Sequence, residues 1–178
     1  FCLSQGTHSP IKWKGFDIFK SSFDMIVYMQ IISEIKPKFI IEYGSGSGGS
    51  AVWLSDIASS LSLDTKVLSY DIKKPNIEYK NVSFEEIDLT KELPDFNNLD
   101  GKKMIIEDAH VNVANVLINS DQFVKKGDYL IIEDSDGKVS DIHQFLSKAK
   151  NSYMVDKFYV DFFGRNTISS TDSIFVVS

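Results

Sequence analysis

Glycines cluster in one short stretch, IIEYGSGSGGSAVWL, between a β-rich run and a run with helical spacing. Gly44, Gly46 and Gly49 satisfy the GxGxxG pattern of nucleotide-cofactor sites. At the end of a strand, glycines let the backbone turn sharply and approach a ligand, whose polar groups then meet the free N–H groups of the next helix. The pattern alone fits NAD, FAD or S-adenosylmethionine, so the choice among these cofactors depends on other residues.

Acidic residues on either side of this stretch narrow the choice. Glu42 lies two residues before Gly44, where a carboxylate would repel a pyrophosphate but attract the cationic end of a ligand. Asp71, the next acidic strand end, lies 27 residues beyond Gly44, farther than the ~20 residues typical of the NAD ribose contact. Asp71 can still bind ribose hydroxyls, and Asp88 can bind an adenine amine or simply cap a turn. We therefore expect a nucleoside that carries a cationic group.

A second kind of chemistry is indicated by two buried-type runs that end in adjacent acids, MIIEDAH and LIIEDSD. The carboxyl ends of neighbouring parallel strands open onto the same crevice, so Glu107, Asp108, Glu133 and Asp134 should converge. Converging carboxylates repel each other unless a cation lies among them, and an oxygen-only ligand set suits Mg²⁺ or Mn²⁺. The alternative is that these acids cap the helices that follow, Asp108 before Val111 and Asp134 or Asp136 before Val139.

His110 lies three residues beyond Glu107, beside the acidic cluster. Its pKa near neutrality suits a general base that removes a proton from a substrate hydroxyl. The predicted cofactor-binding set is Glu42, Gly44, Ser45, Gly46, Gly49, Ser50, Asp71 and Asp88.

The elements that must position these residues alternate between strand and helix along the chain. A helix begins at the Ser21 and Asp24 cap pair and stops before Pro37. The predicted strands span 38–43, 66–71, 81–88, 102–108 and 128–134, and the helices span 49–62, 113–124 and 139–149. This alternation predicts a mostly parallel sheet covered on both faces. In the tail, two β-rich runs, 153–163 and 173–178, leave no room for a crossover helix and should pair antiparallel.

Size and charge limit the function classes. The 178 residues fit an N-terminal arm, 1–20, followed by one domain, 21–178. The net charge of -6 makes nucleic acid an improbable partner, and no apolar run approaches the ~20 residues of a membrane span. Cys2 is the only cysteine, which favours a reducing compartment such as the cytoplasm. The sequence does not indicate whether identical copies of the chain assemble into an oligomer.

Three stretches together resemble the cephalosporin hydroxylase family: KWKGFDIFKSSFDMIVYMQIISEIKPKFIIEYGSGSGGSAVWL, EDAH and YLIIEDS. This family is similar in fold to class I S-adenosylmethionine-dependent methyltransferases, and it is also similar to macrolide-sugar O-methyltransferases. The likeness runs from about Trp13 to Ser135. It implies a Rossmann-like doubly wound sheet of topology 3-2-1-4-5-7-6, with five parallel strands and a C-terminal antiparallel hairpin.

The resemblance also implies a function. S-adenosylmethionine would lie on the glycine loop, and Mg²⁺ or Mn²⁺ would be held by Glu107, Glu133 and Asp134, with His110 as the base. The family more commonly has aspartate as its first ligand, so either Glu107 or Asp108 supplies that oxygen. The implied enzyme methylates a hydroxyl of a small molecule such as a sugar or glycoside. The alternatives are a non-catalytic cofactor-binding domain of a larger biosynthetic protein, and a hydroxylase or NAD-dependent oxidoreductase on the same fold.

Overall fold

The computed structural model describes residues 9–178, so residues 1–8 of the predicted arm, with Cys2, lie outside the described residues. In chain order, the strands are β1 (Ile11–Trp13), β2 (Phe16–Ile18), β3 (Phe39–Tyr43), β4 (Lys66–Asp71), β5 (Val82–Glu86), β6 (Lys103–Glu107), β7 (Tyr129–Ile132), β8 (Tyr153–Val155) and β9 (Ile174–Val177). The first two form a separate hairpin. The other seven form one sheet in the order β5-β4-β3-β6-β7-β9-β8.

The chain direction within the seven-stranded sheet confirms the predicted α/β fold. The strands from β3 to β7 pair parallel with one another, whereas β9 pairs antiparallel with both β7 and β8. Numbered within this sheet alone, the order is the predicted 3-2-1-4-5-7-6. The parallel strands therefore end at one common edge, which is where such sheets hold ligands.

Within residues 9–178, the α-helices that cover the two faces of the sheet are α1 (Ser22–Ile35), α2 (Gly49–Ser60), α3 (Val113–Asp121), α4 (Val139–Lys148) and α5 (Lys157–Val160). Alternate residues of each buried strand point to opposite faces, so Ile40 packs in the core under α1 and α2, and Ile41 packs in the core under α3 and α4. Both faces are apolar, which explains why the central strands read as continuous hydrophobic runs. No helix within residues 9–178 is long and apolar enough to cross a membrane.

The predicted cap pair of α1 is present. The Ser21 hydroxyl accepts a hydrogen bond from the backbone N–H of Asp24 at 3.1 Å. The helix ends at Ile35, and Lys36 takes a left-handed conformation before Pro37.

In the predicted arm, β1 and β2 form a hairpin that no sequence pattern indicated. Lys14 and Gly15 both have positive φ, as a tight two-residue hairpin turn requires. The hairpin lies against α2, because the Trp13 indole N–H donates to Asp56 at 2.7 Å. Gly49 permits this contact, since a Cβ there would come within 2.1 Å of the Asp17 carbonyl oxygen.

The tail differs in part from the β-rich run expected over 153–163. Strand β8 ends at Val155, and the short helix α5 begins at Lys157. The Asp156 carboxylate accepts from the backbone N–H of Phe158 at 3.1 Å and so caps this helix. The local cap overrides the β-propensity of the aromatic residues that follow, whereas the predicted antiparallel pairing of β8 with β9 is confirmed.

Candidate functional site

A cavity of about 400 Å³ opens where the parallel strands end. Its volume falls in the range of small-molecule pockets. Most of the predicted site residues line it: Gly44, Ser45, Gly46, Ser50, Asp71, Asp88, Asp108, His110 and Asp134. The glycine loop and the acidic strand ends therefore face one shared space.

The glycine loop packs tightly against the turn that follows β6. Gly44 has φ +97°, and a Cβ there would lie 2.6 Å from the Asp108 carbonyl oxygen. Gly46 also has a positive φ, but a Cβ there would meet no atom within 4 Å. Gly44 thus permits close packing between the two halves of the site. Gly49 does not line the cavity, because it lies under the N-terminal hairpin.

Glu42 lies fully buried beneath the glycine loop. Its Oε2 accepts from the Ser69 hydroxyl at 2.6 Å, whereas Oε1 has no hydrogen-bond partner and lies 3.9 Å from Lys20 Nζ. Burial raises the pKa of Glu42, and this outweighs the opposing effects of Lys20 and neighbouring serines. A buried carboxylate oxygen without a partner fits a ligand that brings a hydrogen-bond donor or a positive charge.

The two predicted nucleoside contacts differ in what they already bind. Asp71 accepts from the backbone N–H of Gly46 at 2.9 Å, so it also fixes the glycine loop. Asp88 accepts from the backbone N–H and the hydroxyl of Thr90 and lies 2.7 Å from Lys91 Nζ. Hydrogen bonds from Lys91 and Thr90 lower the pKa of Asp88 to about 2. Asp88 therefore caps its own turn at the rim of the cavity.

Asp108, His110 and Asp134 form the cluster in the cavity that could hold a metal ion, with one ligand atom from each within 4.8 Å of the others. His110 Nε2 lies 3.2 Å from Asp108 Oδ1 and 3.4 Å from Asp134 Oδ2. The hydrogen bond to Asp108 raises the pKa of His110, against the opposing effect of its partial burial. The carboxylates of Asp108 and Asp134 fit Mg²⁺ or Mn²⁺, and His110 lies beside them as a candidate base. These residues therefore fit the predicted ion.

Glu107 and Glu133, the other two predicted metal ligands, are buried and do not line the cavity. Glu107 accepts from Lys138 Nζ at 2.8 Å and from the backbone N–H groups of Ala109 and His110. It therefore shapes the turn that presents His110. Glu133 accepts from Lys20 Nζ at 2.5 Å and from the Tyr28 hydroxyl at 2.6 Å. Each strand-end glutamate is thus neutralised by its own lysine.

Lys20 lines the cavity, and sequence reasoning missed it. It lies two residues beyond the end of β2, and the residues around it resemble those around a surface lysine. The indirect signal was the surplus of acids at the strand ends, since buried carboxylates require a cation. The sequence does not say which of its 19 basic residues provides that cation.

Comparisons with known proteins identify a family and relatives with similar sequences. Residues 5–153 match the family described as Rhamnosyl O-methyltransferase/CmcI. The rhamnosyl O-methyltransferase of Mycobacterium tuberculosis is 28% identical over 137 residues, which cover 69% of this chain and 56% of that protein. For its Mycobacterium leprae counterpart, the identity is 29% over 136 residues, covering 69% of this chain and 59% of that protein. The chain therefore spans less than two thirds of the length of these relatives.

Solved structures share the fold. A CmcI structure with Mg-SAM gives a TM-score of 0.79 at 22% identity, covering 100% of this chain and 81% of that chain. The O-methyltransferase TomG from Streptomyces achromogenes, in complex with SAM, gives a TM-score of 0.58 at 13% identity, covering 93% of this chain and 83% of that chain.

Proposed function

Because the chain belongs to the Rhamnosyl O-methyltransferase/CmcI family, we propose that it is an S-adenosylmethionine-dependent, divalent-metal-assisted O-methyltransferase acting on a hydroxyl of a sugar or glycoside. The family match also confirms the resemblance to cephalosporin hydroxylases that the sequence indicated. One observation of the structure carries the proposal: a single cavity joins the glycine loop to the cluster of Asp108, His110 and Asp134. The rhamnosyl relatives suggest a deoxy-sugar as the acceptor.

The binding part of the mechanism belongs to the floor and rim of the cavity. Glu42 is buried beneath the glycine loop and does not line the cavity, so its unpaired Oε1 would attract the cationic amino-acid end of S-adenosylmethionine from below the loop. Asp71 lies at the end of β4, where a carboxylate can accept from ribose hydroxyls while it holds Gly46. Gly44 and Ser45 let the backbone of the loop approach the ligand.

The chemical part belongs to the other side of the cavity. When bound, S-adenosylmethionine would supply the methyl group, and a divalent ion held by Asp108 and Asp134 would lower the pKa of the acceptor hydroxyl. His110, half-exposed between the two aspartates, takes up the hydroxyl proton. Glu107 holds the backbone of this turn, so the imidazole keeps its orientation. Positioning supplies much of the rate.

The remaining features of the proposal come from composition. We propose residues 21–178 as one cofactor-binding domain, because the chain length fits a single domain, and a cytoplasmic location, because the chain has one cysteine. Besides the cofactor and the metal, this chemistry needs one partner, a small hydroxyl compound. Nucleic acid is excluded from the proposal by the acidic charge.

The experiment measures cofactor binding and methyl transfer separately. Calorimetric titration with S-adenosylhomocysteine tests the cofactor, and transfer of labelled methyl groups to a rhamnosyl glycoside, with Mg²⁺ or with EDTA, tests the reaction. The Asp134→Asn variant should keep its affinity for S-adenosylhomocysteine, because Glu42 and Asp71 are unchanged. It should lose methyl transfer by roughly a hundredfold or more, as the loss of several kcal/mol of metal assistance implies.

Asp172→Asn is the matched control. Asp172 is exposed, has a left-handed backbone like Asp134, and lies outside the lining of the cavity. It should transfer methyl groups at the wild-type rate. Transfer that continues undiminished in EDTA would contradict the metal assistance. Binding of S-adenosylhomocysteine without any transfer would indicate the non-catalytic domain, and binding of NADH instead would indicate an oxidoreductase.

A further inference from the structure

Lys20 lies among the acidic side chains at the strand ends, and it contacts carboxylates that a metal ion would also bind. Its Nζ lies 2.5 Å from Glu133 Oε1, 3.0 Å from Asp108 Oδ2 and 3.9 Å from Glu42 Oε1. The side chain is buried, and the ammonium also lies 5.9 Å from the centre of the Tyr28 ring. Three carboxylates from the ends of three parallel strands thus converge on one ammonium.

Lys20 remains charged in this environment. Its ammonium is surrounded by the carboxylates of Glu133, Asp108 and Glu42, which stabilise the positive charge. It acts as a fixed positive charge and a hydrogen-bond donor.

Asp108 connects this ammonium to the candidate metal cluster. Its Oδ2 accepts from Lys20, while its Oδ1 lies 3.2 Å from His110 Nε2. A divalent ion bound to Asp108 must therefore share that carboxylate with a positive charge already in contact with it. Two like charges a few ångströms apart repel each other, and the repulsion is strongest on the buried side of Asp108, where little water reaches Lys20.

We propose that Lys20 is a built-in counter-ion that competes with the divalent metal for Asp108 and Glu133 and keeps the metal affinity of this site low. This inference rests on the proposed function, since it concerns the same metal. Without Lys20, Oδ2 of Asp108 becomes free for a metal beside Asp134, and Glu133 loses its cation. The lysine also keeps Asp108 and Glu133 together when no metal is bound, which limits their mutual repulsion.

Binding of Mn²⁺ alone, followed by electron paramagnetic resonance of the free ion, tests this proposal without using activity. The Lys20→Met variant should bind Mn²⁺ at least tenfold more tightly than the wild type. Lys91→Met is the matched control, because it also removes one positive charge beside the cavity, at Asp88, but from an exposed side chain. Its Mn²⁺ affinity should equal that of the wild type.

Thermal unfolding gives a second readout. Lys20→Met leaves buried carboxylates without their cation, so the variant should melt at a lower temperature in EDTA, and Mn²⁺ should raise its melting temperature more than that of the wild type. If this variant does not fold, the Lys20→Met, Glu133→Gln double variant removes the pair together. It should still bind Mn²⁺ more tightly than the wild type, because Asp108 is freed.

Equal or weaker Mn²⁺ binding in the folded Lys20 variants would overturn the proposal, as would an equal gain in Lys91→Met. Such a result, obtained with a wild type that binds S-adenosylhomocysteine and transfers methyl groups in a metal-dependent way, would leave the proposed function intact. Absence of Mn²⁺ binding in every variant would overturn this inference together with the metal assistance. Loss of S-adenosylhomocysteine binding by the wild type would refute the proposed function separately.

Discussion

Gly44→Ala should damage both the stability and the metal site of this protein, whereas Gly46→Ala should not damage the metal site. A left-handed backbone alone costs about 1–2 kcal/mol for a residue with a Cβ, and this cost applies to alanine at both positions. A second energetic cost applies only to Gly44→Ala, because the new Cβ would lie 2.6 Å from the Asp108 carbonyl oxygen and 3.0 Å from the Ala109 nitrogen. Overpacking of this kind typically costs a further 1–3 kcal/mol or so.

The expected loss of unfolding free energy is therefore about 2–5 kcal/mol for Gly44→Ala and about 1–2 kcal/mol for Gly46→Ala. Equilibrium unfolding in urea measures both values. To relieve the overlap, the turn after β6 must move, and Asp108 and His110 move with it. Mn²⁺ affinity should therefore fall in Gly44→Ala and stay near wild type in Gly46→Ala. Equal stability losses, or equal Mn²⁺ affinities, would refute the claim that Gly44 is required for contact between the two halves of the site.

Two further variants test ion pairs that the fold creates. Glu107→Gln keeps an acceptor for the backbone but leaves Lys138 buried without its charge partner, so it should lose about 3–5 kcal/mol in urea unfolding. A chain that also carries Lys138→Met should be more stable than Glu107→Gln alone, and a double variant that is less stable would contradict this. Asp56→Asn should weaken the attachment of the hairpin to α2. Although its burial acts in the opposite direction, hydrogen bonds from Lys14 and Trp13 lower the pKa of Asp56. The stability that Asp56 contributes should be present at neutral pH and fade as the pH falls below about 4. A stability difference from wild type that does not shrink in acid would refute that assignment.

The local sequence determined the central strands, the helices between them and the part of the site that each strand end supplies, but not the β1–β2 hairpin or α5. The Ser21 cap, the stop before Pro37 and the glycine turn after β3 depend on neighbouring residues, so they could be predicted. The convergence of Asp108 with Asp134 also followed, because parallel neighbours end at one edge of a sheet. Local prediction failed where a helix cap competed with β-propensity, since Asp156 starts a helix within a run of β-forming residues.

Only the tertiary structure decided which charges face each other. Lys20 and Glu133 are 113 residues apart in the chain, and Lys138 and Glu107 are 31 residues apart. Ion pairs over such separations leave no periodic or capping signal, because the partners meet only after the hairpin, helices and sheet have packed. The sequence therefore determined the strand-end acids and the glycine loop. The packing of the elements decided that lysines pair with Glu107 and Glu133. It also left Asp108 and Asp134 facing the cavity, where a ligand can reach them.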